Sequence, residues 1–123
     1  MKNKIHFRFE DLNVYSKAID FGELVHLQVK TFPKNELYML TSQFSRASDS
    51  IALNIAEGSG STDANFIRYL GMARDSAHEC VAVSTKAKLR NYITEQQNFE
   101  NRKALEEICK MLSSLMRHLS SKK

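Results

Sequence analysis

The stretch that decides the fold is Leu37–Gly60, LYMLTSQFSRASDSIALNIAEGSG. Leu37, Leu40, Phe44, Ala47, Ile51 and Ile55 recur at three- and four-residue intervals, the period of one face of an α-helix. Asn35 is positioned to cap such a helix over about residues 36–57. Gly58-Ser59-Gly60 ends it with positions that tolerate positive φ. A second feature of this helix is polar. Gln43, Arg46, Ser50, Asn54 and Glu57 project within one narrow arc, with the apolar stripe on one side and Met39 and Leu53 on the other. A polar strip bounded on both sides by apolar residues is expected to find partners rather than water.

Upstream, Leu12, Tyr15, Ile19, Gly22, Val25, His26 and Val29 predict a first helix over about residues 11–31, stopped by Phe32-Pro33. Downstream, Thr62 or Asp63 caps a third helix over about residues 64–91. Its broad inward face is Phe66, Tyr69, Leu70, Ala73, Ala77, Cys80, Val81, Ser84 and Ala87. Many of these are small, so a neighbouring backbone can approach closely. Thr94-Glu95-Gln96-Gln97 has capping-box form and opens a fourth helix over about residues 95–119. Leu105, Ile108, Leu112, Leu115 and Leu119 form its seam. Nothing alternates apolar and polar for long enough to predict a strand. Short turns make consecutive helices antiparallel neighbours, so the expected fold is all-α: an antiparallel up-down-up-down four-helix bundle over residues 1–123 as one domain.

Composition agrees. The chain has 123 residues, 42% hydrophobic and 26% charged, with only four glycines and one proline, which excludes disordered and collagen-like classes. No apolar run approaches the roughly 20 residues of a membrane span. Met1–Arg8 lacks the apolar segment of a signal peptide. Two cysteines are too few for a disulfide scaffold. These features predict a cytoplasmic, reduced protein without a membrane role.

Charge is distributed unevenly. The net charge is +4, but Lys2, Lys4, Arg8, Lys122 and Lys123 supply more than that from the two ends. Residues 9–60 hold 4 basic and 7 acidic residues, whereas residues 61–119 hold 9 basic and 7 acidic. The second half therefore carries the candidate phosphate contacts: Arg68, Arg74, Lys86, Lys88 and Arg90 on the third helix, Lys103 and Lys110 on the fourth. Lys86, Lys88 and Arg90 also suit the negative end of a helix dipole.

The residues give little support for catalysis. Glu23-x-x-His26 and Asp75-x-x-His78 have the spacing of di-iron ligands in helical bundles. At 100° per residue, however, His26 falls on the apolar face of its helix while Asp75 and His78 fall on the polar face of theirs. The expectation is no metal centre and no cofactor, with His26 a core or interface histidine. Glu57–Ser61 is glycine-rich but lacks the Lys-Ser/Thr of a phosphate-binding loop. Cys80 and Cys109 lie on inward faces as small hydrophobes. For the polar strip the expectation is structural. Arg46 pairs with Glu79, Glu57 or both, and Ser76 and Glu79 of the third helix complete a network with Gln43, Ser50 and Asn54 that fixes register or subunit contacts.

Phe9–Tyr15, Phe32–Leu40 and Gln43–Gly58, followed by Phe66, Leu70, Ala73, Ser76 and Glu79, carry a family resemblance. Together they resemble the four-helix bundle proteins first described from intervening sequences within bacterial 23S ribosomal RNA genes, often labelled ribosomal proteins. The resemblance spans about residues 9–119. It implies a bundle that assembles as a barrel-shaped homopentamer. It extends to the accessory variability protein of diversity-generating retroelements, which is pentameric, more strongly basic, and binds nucleic acid and a reverse transcriptase. No catalytic residues come with it. The functional expectation is a non-enzymatic accessory protein that binds RNA or DNA through its basic surface. The alternative is a scaffold for a protein partner such as a polymerase.

Overall fold

A computed structural model describes residues 5–122. Four helices carry the chain: α1 (Asn13–Gln28), α2 (Leu40–Ser59), α3 (Asp63–Leu89) and α4 (Glu95–Ser120). Short 3-10 turns at Arg8–Asp11, Val29–Thr31 and Lys34–Glu36 flank α1 and lead into α2, and no strand occurs among the described residues. Each helix packs on its two neighbours, with α4 closing the ring against α1 and no diagonal contact among the described residues. The architecture is a four-helix bundle whose most extensive seam is α2 on α3.

The core is one cluster, including Phe21, Val25, Phe44, Ile51, Ile55, Leu70, Leu105, Ile108 and Leu112. Small α3 residues Ala73, Ala77 and Cys80 are wholly buried, which fits their expected role in close approach. The Thr62 hydroxyl accepts from the Asn65 amide at the start of α3. Thr94 and Gln97 form the predicted capping box of α4. Asn91 turns the α3–α4 connection with φ 63°, the left-handed region that asparagine tolerates.

Four local expectations are corrected. Helix α2 begins at Leu40, not near 36, with Met39 rather than Asn35 preceding its first turn. Leu37 is consequently outside the helix and 51% exposed. The buried face of α1 is Val14, Ala18, Phe21, Gly22, Val25 and Gln28; Gly22 and Val25 of the predicted stripe lie on it and Leu12, Tyr15 and Val29 border it, so its centre is turned by somewhat less than one residue. Phe21 and Val14 claim the core, and Ile19 is left exposed. The same rotation places His26 at the exposed surface rather than in the core. Finally, no glycine among the described residues has positive φ. Gly58 lies inside α2, where a Cβ would sit 2.5 Å from Tyr69 Cβ and 3.1 Å from Phe66 Cδ1. Its requirement is steric, set by α3, rather than conformational.

Candidate nucleic-acid interface

The predicted polar strip of α2 separates into two parts. Ser50 and Ser76 bond hydroxyl to hydroxyl across the α2–α3 seam, and Asn54 Nδ2 donates to the Ser50 carbonyl at 2.8 Å. At the strip's end the Tyr69 hydroxyl donates to Glu57 Oε2 at 3.3 Å. Gln43, Arg46 and Glu79 are exposed. Arg46 makes no ion pair with Glu79 or Glu57 among the described residues, so the expected Arg46-centred network does not form within the chain. The seam itself is filled by Phe44, Ala47, Ile51 and Ile55 packing toward α3. Arg46 is 100° or more from that line and points past it.

Buried polar connections lie instead at one end of the bundle, and sequence reading missed them. Gln28 and Asn101 pair through both amide ends, at 2.8 and 2.9 Å. Asn101 Nδ2 also donates to Ser84 Oγ at 3.0 Å, and Ser84 donates to Asn98 Oδ1 at 2.7 Å. This chain ties α1, α3 and α4. Beside the start of α2, the buried Glu36 carboxylate accepts from the Tyr92 hydroxyl at 2.8 Å and from Arg90 Nη1 at 2.9 Å. The Tyr92 hydrogen bond, with the Leu40 amide and the Arg90 charge, holds Glu36 below the usual carboxylate range despite burial. The same bond pushes the Tyr92 phenol up. Arg90, expected to contact phosphate, thus has an intramolecular partner.

The other basic candidates fall into groups. Arg68 and Lys86 lie on the outer face of α3, with the Arg68 guanidinium 5.0 Å from the Tyr69 ring centroid. Lys88 is half-buried near the end of α3. Arg74 turns toward α4, where its Nη1 donates to Ser113 Oγ at 3.4 Å. Lys103 and Lys110 lie on the outer side of α4 beside this seam, and Arg117 continues the line at the same seven-residue interval. Lys103 to Arg117 spans roughly 21 Å of helix. Arg102 crosses the seam, donating to Thr85 Oγ1 at 3.2 Å. Of the terminal cations, Lys122 pairs with Asp63 at 3.3 Å, while Lys2, Lys4 and Lys123 lie outside the described residues.

The result is a pair of grooves that follow one another along the α3–α4 seam. The upper groove is lined by His78, Val81, Phe99, Arg102, Lys103, Leu105, Glu106 and Cys109. The lower groove is lined by Ile67, Arg74, Ser113, Met116, Arg117, Ser120 and Ser121. Across both grooves Glu106 is the single lining carboxylate among the described residues, against Arg74, Arg102, Lys103 and Arg117. Arg102, Arg117 and Phe99 escaped the sequence reading. The recurrence of Lys103, Lys110 and Arg117 at intervals of seven was the available signal. Cys109 at the floor of the upper groove has its thiol pushed up by burial, with Arg74 opposing.

The two carboxylate-x-x-His pairs remain apart. Glu23 and His26 border a small groove with Gly22, Ser45, Ser48 and Asp49 between α1 and α2, whereas Asp75 and His78 are exposed on α3. No helix among the described residues is long and apolar enough to cross a membrane.

Comparison with known proteins places this architecture. No curated protein matches the chain. A crystal structure of a protein of unknown function from the S23 ribosomal protein family of Bacteroides thetaiotaomicron VPI-5482 is similar, with a TM-score of 0.76 and 26% sequence identity. The alignment covers 84% of this chain and 97% of that one. The family model for the 23S rRNA-intervening sequence protein matches residues 10–114. With that match extending over most of the bundle, the chain belongs to the 23S rRNA-intervening sequence protein family.

Proposed function

We propose that this protein is a non-enzymatic accessory protein that binds nucleic acid along the α3–α4 seam. The observation that carries the reading is the gathering of Arg74, Arg102, Lys103 and Arg117 in two grooves along one seam, where Glu106 is the single carboxylate among the described lining residues. Lys110 stands on the same line of α4. The middle of the chain is close to neutral, yet these two grooves hold four cations against one carboxylate. That arrangement attracts a phosphate backbone by counterion release. Arg68 and Lys86 share the Glu79 stripe on the α2 side of α3, away from this groove pair. Arg90 is assigned to the fold, because Glu36 engages it.

Binding of labelled RNA and duplex DNA followed by fluorescence anisotropy across a salt series tests this. Affinity should fall steeply with salt. A Lys103→Gln/Lys110→Gln/Arg117→Gln variant should lower the log–log slope by about 0.9 for each duplex phosphate left without its cation, or about 0.7 on a single strand. An unchanged slope, or no binding at low salt, refutes the reading.

A second reading concerns assembly. Leu37, Tyr38, Met39 and Leu53 are all more than half exposed on the α2 side, and Arg46, Gln43 and Glu79 share that side. Apolar and polar groups exposed together support a contact with another protein surface there, including the homopentamer that the family resemblance implies. Analytical ultracentrifugation checks this. A monomer at micromolar concentration removes the homopentamer. A partner retained after nuclease treatment supports the scaffold function.

A further inference from the structure

We infer that the upper α3–α4 groove is a seat for an unpaired nucleobase, with Phe99 as its stacking surface, so that the preferred ligand is a single-stranded nucleic acid rather than a duplex. The inference rests on the nucleic-acid reading above and narrows it.

The argument starts from Phe99. Phe21, Phe32, Phe44 and Phe66 are buried, and exposed Phe7 lies ahead of α1 with its ring against Phe9. Phe99 is 57% exposed, although it lies in the second turn of a regular helix. Among the described residues it makes no ring contact with another aromatic. Lys103 and Arg102 stand one turn further on the same side of α4, at i+4 and i+3. Arg102 is held across the seam by its bond to Thr85. The floor beneath is apolar, formed by Val81 and Leu105, and His78 stands on the opposite wall. The groove is open to solvent and offers about 560 Å³.

An exposed ring above an apolar floor, bordered by two cations, matches the chemistry of one nucleotide. The ring offers a π-face to the base, and the cations meet the adjoining phosphates. Bases in a duplex already stack on both faces, so only an unpaired or splayed base presents a free face to Phe99. Charge disfavours one rival occupant, the same groove of a second copy of this chain. Two such grooves brought together would set Arg102 and Lys103 of one against those of the other.

The test compares fluorescein-labelled mixed-sequence single-stranded RNA 12-mers with the same RNA annealed to its complement. Wild-type protein should bind the single strand at least several-fold more tightly. Phe99→Ala should weaken single-strand binding by about tenfold, the effect of losing one stacked base, with the salt slope unchanged. Phe99→Trp should restore binding, and circular dichroism should show both variants folded, since Phe99 is outside the core. Single-strand binding by Phe99→Ala equal to wild type, or equal affinity for both RNA forms, overturns the base seat and leaves the phosphate reading standing. A Phe99→Ala variant that changes sedimentation but not RNA affinity overturns it in favour of an interface between copies. No binding of either RNA at low salt overturns both readings.

Discussion

Asn101→Leu is the perturbation that best isolates how this bundle is specified. Asn101 is wholly buried in α4 and takes part in three hydrogen bonds: two with the Gln28 amide and one with Ser84. Leucine has nearly the same branched shape, so little cavity forms. What changes is the state of the partners. Gln28 is itself buried, and both ends of its amide lose their partner at once. Ser84 keeps its bond to Asn98. A buried polar group left unsatisfied costs about 1–3 kcal/mol. Two ends of one amide, partly relieved by rotation toward solvent, give an expected loss of about 2–4 kcal/mol. For a chain of this size that is a fall in Tm of about 10 °C. Urea denaturation monitored by circular dichroism measures it directly. The reasoning makes a second, sharper statement. Adding Gln28→Met to Asn101→Leu removes the stranded amide, so the double variant should be more stable than Asn101→Leu alone. Non-additivity of about 1–3 kcal/mol is expected for such a contacting pair. An Asn101→Leu protein as stable as wild type, or a double variant whose losses simply add, would show that the pair contributes nothing specific.

Three further outcomes follow from the same geometry. Gly58→Ala should destabilise by about 1–3 kcal/mol despite alanine's better helix propensity, because the new Cβ meets Tyr69 at 2.5 Å. Gly60→Ala, where nothing lies within 4 Å, should be close to neutral in the same thermal melts. The Glu36 carboxyl is held below its ordinary 4.5, so the stability it contributes is present above that pH and is lost as pH falls through the depressed value. Glu36→Gln should flatten the acid limb of a stability–pH profile, and an acid limb identical to wild type would refute the assignment. Burial, reinforced by Glu79 and Asp49, pushes the Cys80 thiol up to about 12. At pH 8 a disulfide reagent should therefore modify half-buried Cys109 first and Cys80 only at the rate of unfolding. Equal rates for the two would contradict the burial.

Legibility differed between the fold and the site for a physical reason. Helix α4 was readable almost to the residue, because its leucine seam and the Thr94–Gln97 box are local signals. The start of α2 was not. The sequence from Lys34 to Met39 is compatible with helix, and the buried Glu36, tied to Arg90 and Tyr92 more than fifty residues away, holds it in turns instead. In the site, Arg74, Lys103 and Lys110 were found from charge alone. Arg102 and Phe99 were not, because their significance comes from facing Val81 and Thr85 on another helix.

Four helices, their order and most of their buried faces were legible from residue pattern. Helical periodicity and capping are encoded within a few turns, and short connections leave one simple way to bury four apolar stripes. Tertiary structure alone decided which polar groups became internal. Arg46 looked enclosed on its own helix, yet only the position of α3 could enclose it, and α3 leaves it at the surface. Asn101 looked like an ordinary polar residue of α4, and Gln28 and Ser84 made it the centre of the buried network. Rotation of α1 by somewhat less than one residue was decided in the same way. Ile19 and Phe21 offer competing apolar faces, and the shape of the space against α2 and α4 accepted the face carrying Phe21.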